Sequence, residues 1–230
     1  STAAGPAFEG TQISSGMRGA EGAIDHVIYD SSVNCSVIGN GKPKGICGSG
    51  LLDAVAGLIK LGIINDRGKI LSPDEFQNEK AKRFADRIVR HENANAFLLA
   101  DESSTEHGRP IMITQNDITA LQLAKGAIAT GIKTLIAEMG IKTDDIKEVL
   151  LAGAFGNYMD PHSACTIGLI PKALESKIRP VGNAAGAGSK IALLSRSEYE
   201  RTALISKSVK YIELAAHPNF KMTFAKSMRF

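Results

Sequence analysis

The sequence contains no tryptophan, and aromatic residues make up only 5% of its 230 positions. Proteins that bind single-stranded nucleic acids stack the bases on aromatic side chains, so this scarcity argues against such a surface. Positive and negative charges are also nearly balanced, because the chain has 27 lysines and arginines and 24 acidic residues, for a net charge of +3. No basic stripe runs through the chain, and we expect neither a nucleic acid nor a membrane surface as its partner.

Cysteine is scarce as well. Cys35, Cys47 and Cys165 are far apart, and none belongs to a CxxC motif or lies near a histidine at the spacing of metal ligands. An odd and sparse set of cysteines does not make a disulfide framework, so the sequence predicts free thiols in a reducing cytoplasm. No apolar run is long enough to span a bilayer, no signal peptide is visible, and the histidines occur singly, so no metal site is predicted.

The most informative stretch covers residues 148–160, with the sequence EVLLAGAFGNYMD. Its apolar run, Val149 to Ala152, predicts a buried strand that ends abruptly in Gly153, Ala154, Phe155, Gly156 and Asn157. Backbone N–H groups stay free at such a junction, so an anionic or ribose-bearing ligand can approach. The alternative for one glycine pair alone is a tight strand-to-helix connection in which glycine serves only packing.

A second junction of this kind lies in IRPVGNAAGAGSKIALLS. Ile178 to Val181 predict a short buried strand, and Gly182, Gly186 and Gly188 open a small-residue helix that runs to Leu194. Two strand-glycine-helix units in succession predict neighbouring parallel strands whose carboxyl ends share a crevice, where open α/β sheets bind their ligands. Neither unit contains GxGxxG or GxxxxGK[ST], which argues against a dinucleotide-binding fold and a P-loop.

The rest of the chain alternates predicted strands and helices, which is typical of an α/β protein with a partly parallel sheet. Thr114 is the expected N-cap of the longest helix, and Gly62 and Gly140 are expected to end helices. The predicted elements are a short helix from Phe8 to Met17, a hairpin of Ala23 to Tyr29 with Asn34 to Ile38, a helix from Leu51 to Leu61, strands at Ala96 to Ala100 and Arg109 to Thr114, a helix from Gln115 to about Met139, a helix from Glu198 to Lys207, a strand at Tyr211 to Leu214 and an amphipathic segment from Phe220 to Phe230.

Two smaller features leave alternatives open. The cluster Gly48-Ser49-Gly50 could cradle a phosphate, but such clusters more often let a helix pack closely on a sheet. Gln122 and Lys125 lie three positions apart on one face of the long predicted helix, so they could reach a ligand together. The alternative for this pair is an ordinary solvated helix face.

Six ordered blocks resemble the C-terminal ATPase domain of the reductive activators of corrinoid proteins, which belong to the actin, sugar-kinase and heat-shock-chaperone superfamily. The blocks are STAAGPAFEG, GICGSGLLDAVAGLIKLGII, ITQNDITALQLAKGAIATGI, LLAGAFGNYMD, GNAAGAGSKIALLS and YIELAAHPNF. The resemblance extends from Ser1 to Phe230 and implies an actin-like (ribonuclease-H-like) mixed sheet flanked by helices, with an inserted smaller α+β subdomain. Residues 1–70 and 148–230 would then form parts of the actin-like lobe, and residues 71–147 the inserted subdomain with the long helix.

The resemblance further implies a site for ATP or ADP with Mg²⁺. The superfamily's adenosine motif is matched by Gly153, Ala154, Phe155, Gly156 and Asn157. The segment Gly182 to Gly188 would be its second connecting segment, with Gly182 and Asn183 as binding residues. Gln122 and Lys125 would contact the ribose or the base. Gly5, Glu9 and Gly10 would follow the second phosphate hairpin, close to the ribose and the phosphates.

Parts of the family pattern are not found. The DxGTT-type hairpin with its catalytic carboxylate is missing, and so is the DxGTN-type hairpin expected just before Ser1. We therefore expect a fragment of a two-lobed domain that binds nucleotide weakly and hydrolyses none by itself, with no catalytic residue assigned. The clustered cysteines of the family's iron–sulfur domain are missing too, so an iron–sulfur cluster is expected only in the parent protein.

The function that the resemblance implies is ATP-dependent return of a partner's Co(II) corrinoid to Co(I), with electrons from the parent protein's iron–sulfur cluster. Nucleotide-driven rearrangement would supply the free energy for this low-potential step. The expected partner is a corrinoid/iron–sulfur protein or the corrinoid subunit of a methyltransferase system, and a homodimer is allowed. One alternative is a docking and dimerisation module with a vestigial nucleotide pocket. A sugar or acid kinase is disfavoured because no acid–base signature appears.

Overall fold

The structure is a computed structural model that describes residues 5–230. Within this range the strands are β1 (Ala23–Tyr29), β2 (Val33–Val37), β3 (Gly45–Ile46), β4 (Ile88–His91), β5 (Ala94–Ala100), β6 (Ile111–Ile113), β7 (Val149–Ala152) and β8 (Ile178–Gly182). The α-helices are α1 (Gly48–Leu61), α2 (Glu79–Lys82), α3 (Gln115–Glu138), α4 (Ala154–Tyr158), α5 (Pro161–Thr166), α6 (Ala184–Leu194), α7 (Arg196–Ser208) and α8 (Phe220–Met228). The start of the first resemblance block, residues 1–4, lies outside the described residues.

Three small sheets contain these strands. The first has the order β2-β1-β3, with β1 antiparallel to β2 and parallel to β3, which confirms the predicted hairpin. The second, β4-β5-β6, is antiparallel throughout. The third consists of the parallel pair β7 and β8. The mixed α/β class that the sequence predicts is thus confirmed, although its strands are divided among separate sheets.

The core forms where α1 packs on β1. Leu52, Val55 and Leu58 are completely buried, and such burial contributes about 1.5–3 kcal/mol for each large aliphatic side chain. A Cβ atom on Gly50 would lie 2.3 Å from the carbonyl oxygen of Ile24, so glycine is needed for this close approach. Close packing is therefore the role of Gly50 in the Gly48-Ser49-Gly50 cluster. Helix α1 begins at Gly48, earlier than predicted.

The long helix α3 begins as its sequence predicts. The hydroxyl of Thr114 accepts a hydrogen bond from the N–H of Asp117 at 3.2 Å, and Asp117 Oδ2 accepts one from the N–H of Thr114 at 2.8 Å. This reciprocal pair satisfies two donors at the start of the helix. Helix α8 packs along α3, where Met228 Cγ would lie 3.1 Å from a Cβ atom on Gly126.

Two predicted elements are wrong. The helix expected from Phe8 to Met17 is only a 3₁₀ turn, Ala7–Glu9, which Gly10 ends at φ +78°. Beyond it the chain is tied to α3 instead, because Ser14 donates its N–H to Asp117 Oδ1 at 2.7 Å. The strand expected from Tyr211 to Leu214 does not form; the chain makes a 3₁₀ turn at Leu214–Ala216 and leaves the Tyr211 side chain exposed.

The predicted burial of β7 and β8 is also wrong. Leu150 is 57% exposed, and neither α6 nor α7 contains a buried residue among those described. Parallel strands are normally covered on both faces, but this sheet has only two strands. Apolar character alone therefore predicted the strands correctly and their environment incorrectly. Among residues 5–230, no helix combines the length and the apolar character needed to cross a membrane.

Candidate functional site

The two glycine-rich turns lie side by side. Strands β7 and β8 pair in parallel from Val149 opposite Ile178 to Ala152 opposite Gly182, so both strands end at the same edge. Directly beyond that edge, the N–H of Gly153 donates a hydrogen bond to the carbonyl oxygen of Gly182 at 2.8 Å. The prediction of two neighbouring parallel strands is confirmed, and a crevice shared by their ends stays a prediction. We call the pair of turns, Gly153–Asn157 and Gly182–Asn183, the ledge.

Both leading glycines of the ledge face open space. Gly153 has φ +92° and ψ 170°, and Gly182 has φ +63°. A side chain at Gly153 would be strained by about 1–3 kcal/mol, because its conformation is essentially restricted to glycine. Among the described residues, a Cβ atom built at either position has no neighbour within 4 Å. A ligand can therefore approach the main chain here.

Other residues of the ledge hold the turns in place. A Cβ atom on Gly156 would lie 3.1 Å from Leu151 Cβ, so this glycine lets α4 pack on β7. Asn157 donates its N–H to the carbonyl of Gly153 at 3.1 Å, and Asn183 Oδ1 accepts the N–H of Gly186 at 2.9 Å as the N-cap of α6. Ala154 begins α4, and its side chain lies outside the described residues.

Phe155 joins the ledge to the amino-terminal part of the described chain. Its ring stacks on that of Phe8 with the centroids 4.9 Å apart and the planes inclined by 29°. Gly48, at the start of α1, approaches the same ring, since a Cβ atom there would lie 3.0 Å from Phe155 Cε2. The structure thereby brings Glu9, which follows Phe8, to the same side of the molecule as Phe155 of the ledge.

A pocket of about 930 Å³ opens beside this aromatic pair. Its wall combines aromatic, apolar, carboxylate and guanidinium groups with the amino-terminal end of α1, whose N-cap residue, Cys47, makes no side-chain capping hydrogen bond. The lining residues are Phe8, Glu9, Met17, Arg18, Gly19, Asp25, Ser36, Val37, Ile38, Gly39, Asn40, Cys47, Gly48, Ser49, Phe155 and Tyr158. Largely apolar concave sites of this size with a few polar groups are typical small-molecule sites.

Sequence reasoning missed most of this pocket. Of the residues predicted to bind nucleotide, only Glu9 and Phe155 line it. Arg18 and Asp25 come from segments with no local pattern that would have identified them, whereas Tyr158 directly follows the predicted residues Gly153–Asn157 and was overlooked. Their proximity depends on the fold, in particular on the contact between Phe8 and Phe155.

Gln122 and Lys125 are not near the ledge in any described contact. Gln122 Nε2 donates to the carbonyl of Arg67 at 3.1 Å. Lys125 Nζ donates to the carbonyl of Arg229 and lies 5.1 Å from the centre of the Phe230 ring. Both side chains are buried, so the alternative of a solvated face does not describe them. Burial lowers the pKa of Lys125 to about 8, with a smaller contribution from Lys133. A nucleotide contact for this pair remains a prediction.

Gly5 and Gly10 differ in their surroundings. Within residues 5–230, a Cβ atom on Gly5 would meet nothing within 4 Å, whereas one on Gly10 would lie 2.3 Å from the carbonyl oxygen of Met17. Both glycines have positive φ, at +74° and +78°. Gly5 therefore leaves room for a ligand, and Gly10 serves a tight turn that positions Phe8 and Glu9.

The described residues do not fit an iron–sulfur cluster. Cys35, Cys47 and Cys165 are free and lie in β2, before α1 and in α5. Among residues 5–230, no three His, Cys, Asp or Glu side chains come together as they would around a metal ion. We therefore assign no step through a metal or a cluster to these residues. The open main chain of the ledge, in contrast, fits the approach of a nucleoside.

Comparison with known proteins gives one consistent result. The model of a family described as the C-terminal domain of RACo, the ASKHA domain, matches residues 1–230. The chain is 41% identical over 232 residues to the corrinoid activation enzyme RamQ of Eubacterium limosum, covering 100% of this chain and 39% of that protein. It is 29% identical over 232 residues to the Co(II) methylated amine-specific corrinoid protein reductase of Methanosarcina barkeri, covering 91% of this chain and 37% of that protein.

A solved structure shows the same likeness in three dimensions. The reductive activator for corrinoid,iron-sulfur protein matches with a TM-score of 0.87 and 36% sequence identity, covering 99% of this chain and 35% of that one. The chain thus spans between 35% and 39% of the length of these three proteins.

Proposed function

Since the chain belongs to the family of the C-terminal ASKHA domain of RACo, which has an actin-like fold, we propose that it binds the nucleoside end of ATP or ADP at the ledge and the adjacent pocket. The observation that carries this proposal is the pair of parallel strand ends whose leading glycines, Gly153 and Gly182, are open to a ligand. Backbone N–H groups beside small residues are suited to contact with a ribose or a phosphate.

Different parts of the site would contact different parts of the nucleotide. Gly153–Asn157 and Gly182–Asn183 would contact the ribose, while the base would enter the pocket beside Phe155. Gly5 and Glu9 would lie close to the ribose and the phosphates, with Glu9 at the wall of the same pocket. Mg²⁺ would accompany the phosphates, and its protein ligands are not assigned to this chain.

For the whole protein, we propose a reductive activator that works in the cytoplasm on a corrinoid protein. One electron from an iron–sulfur cluster outside this chain would convert Co(II) to Co(I), and ATP hydrolysis would supply the free energy. The names of the three related proteins support this activity. The role of this chain would be to bind the nucleotide, since no three His, Cys, Asp or Glu side chains among residues 5–230 come together to hold a metal ion.

The test uses two glycines with matched backbones. Gly182 has φ +63° and Gly140 has φ +64°, and a Cβ atom at either position meets nothing within 4 Å. Gln at either site therefore introduces similar backbone strain, but only Gly182→Gln blocks the ledge. In the full-length protein, we expect calorimetry with ATP to show at least about tenfold weaker binding for Gly182→Gln, and unchanged binding for Gly140→Gln. Equal affinities in the two variants would refute the ledge as the nucleotide site.

A second candidate function is a docking and dimerisation module with a vestigial nucleotide pocket. It is favoured by the exposed apolar side chains of α6 and α7, since Leu193 and Leu194 are each 86% exposed. Under this alternative, Gly182→Gln would leave the rate of Co(I) formation with the full-length protein unchanged, whereas Leu193→Ser would lower it. The nucleotide proposal predicts the opposite effect for Gly182→Gln.

A further inference from the structure

Asp25 lies at an irregularity of β1. The pairing register with β2 shifts between Ile24 and His26, so Asp25 is the bulge residue. Bulges re-aim side chains and are frequent next to functional sites. On one side of the bulge, the neighbouring residue His26 is paired inside the fold, because its Nδ1 lies 2.8 Å from Asp53 Oδ2 of α1. Asp25 itself lines the 930 Å³ pocket.

One oxygen of the Asp25 carboxylate has no partner in the described part of the protein. This atom, Oδ1, is closed to solvent and has no hydrogen-bond partner among residues 5–230, so a ligand in the pocket reaches it only after the side chain turns toward the pocket. A buried polar atom without a partner costs free energy and calls for an explanation, such as a ligand that the atom receives. Because a carboxylate accepts hydrogen bonds when ionised, the expected ligand group is an N–H or O–H donor.

The other residues of the pocket wall restrict the kind of molecule that can carry this donor. Phe8 and Phe155 form a stacked aromatic wall, and Val37 and Ile38 add apolar surface. Such a slot favours a flat heterocycle over a sugar or a flexible chain. Since Phe155 is also part of the ledge, a ring in the slot and a ribose on the ledge can belong to the same molecule.

We propose that Asp25 accepts a hydrogen bond from the exocyclic amino group of a 6-aminopurine, which makes it the residue that selects adenine over 6-oxopurines. This inference rests on the proposed nucleotide function. The 6-oxo group of hypoxanthine or guanine is an acceptor and would face the carboxylate without a proton between them. The other charged groups of the pocket wall are Glu9 and Arg18.

The experiment compares nucleotides that differ only at position 6 of the purine. In the full-length protein, calorimetry should show that ATP binds about tenfold more tightly than ITP, which has an oxygen in place of the amino group. In Asp25→Asn this preference should fall close to unity, because an amide can donate to oxygen as well as accept from nitrogen. Asp86→Asn, which removes an exposed carboxylate elsewhere, should keep the preference.

A second measurement needs no variant. N6,N6-dimethyl-ATP lacks the N–H donor, so the wild-type protein should bind it at least about tenfold less tightly than ATP. If Asp25→Asn keeps the full preference for ATP, or if the dimethyl analogue binds like ATP, the assignment of Asp25 is overturned while nucleotide binding stands. If the wild-type protein binds none of these nucleotides, the proposed function falls together with this inference.

Discussion

The ring of Phe8 stacks on the ring of Phe155 with a centroid distance of 4.9 Å. The two residues belong to segments far apart in the chain, one in the first described turn and the other in the ledge. Their contact is what closes one side of the 930 Å³ pocket. Stability and ligand binding should therefore depend on the same pair.

This dependence can be measured with a double-mutant cycle. Stacked aromatic pairs contribute about 0.5–1.5 kcal/mol beyond the area that they bury, so Phe8→Leu and Phe155→Leu should be non-additive by about that amount in the free energy of unfolding. Urea unfolding of the two single variants and the double variant gives the coupling. Additive effects would show that the rings are neighbours without a specific interaction.

Two glycines in different helices, α4 and α6, should respond oppositely to alanine. A Cβ atom on Gly156 would lie 3.1 Å from Leu151 Cβ, whereas one on Gly188 meets nothing within 4 Å. Gly188→Ala should stabilise α6 by up to about 1 kcal/mol, because alanine is the better helix former. Gly156→Ala should destabilise the protein by about 1–3 kcal/mol through overpacking. Thermal unfolding checks both, and a stabilising Gly156→Ala would contradict the packing at β7.

The buried carboxylate of Asp117 should matter more than an exposed one with the same local role. Asp117 accepts hydrogen bonds from the N–H groups of Ser14 and Thr114 at 2.7 and 2.8 Å. Asp117→Ala leaves both donors without a partner and should cost about 3 kcal/mol. Asp145 accepts from the N–H of Lys142 at 2.8 Å on the exposed surface, so Asp145→Ala should cost about 1 kcal/mol or less. Chemical denaturation compares the pair, and equal losses would contradict this ranking.

Lys125 gives a prediction for pH. Burial lowers its pKa to about 8 from the ordinary 10.5, so between these values the unfolded chain holds a proton that the folded chain has released. The contribution of Lys125 to the free energy of unfolding should therefore rise as pH increases from 8 to 10.5, and it should stay constant below pH 8. Lys125→Met should lack this rise. Urea unfolding of both proteins across this range measures the difference, and parallel pH profiles would contradict the lowered pKa.

Local sequence patterns were sufficient for the elements whose cause is local. The cap at Thr114, the glycine stop at Gly62 and the alternation that makes the β1–β2 hairpin all depend on neighbours within a few residues. The parallel pairing of β7 with β8 also followed from two adjacent strand-glycine-helix units. These features define the fold class and the position of the ledge.

Contacts between distant segments explain the failures. Nothing near Phe8 in the sequence indicates that Ser14 binds Asp117, and this bond replaces the predicted helix. Nothing near Lys125 indicates that its ammonium group faces Arg229 and Phe230 rather than a ligand. The bulge at Asp25 depends on how β1 pairs with β2. Sequence patterns report residue types and spacing, whereas these three outcomes depend on which surfaces contact each other in the fold.

The hydrogen bond from Gly153 to Gly182 has a mechanical consequence. Because it bridges the two turns just beyond the paired strands, one turn cannot swing outward while the other stays in place unless that bond breaks. Arrival or departure of a bound molecule would thus displace both turns together, and the displacement would pass into α4 and α6, which begin directly behind them. The two turns would therefore move as one unit, and a bound molecule would be held by the amino-terminal ends of both helices.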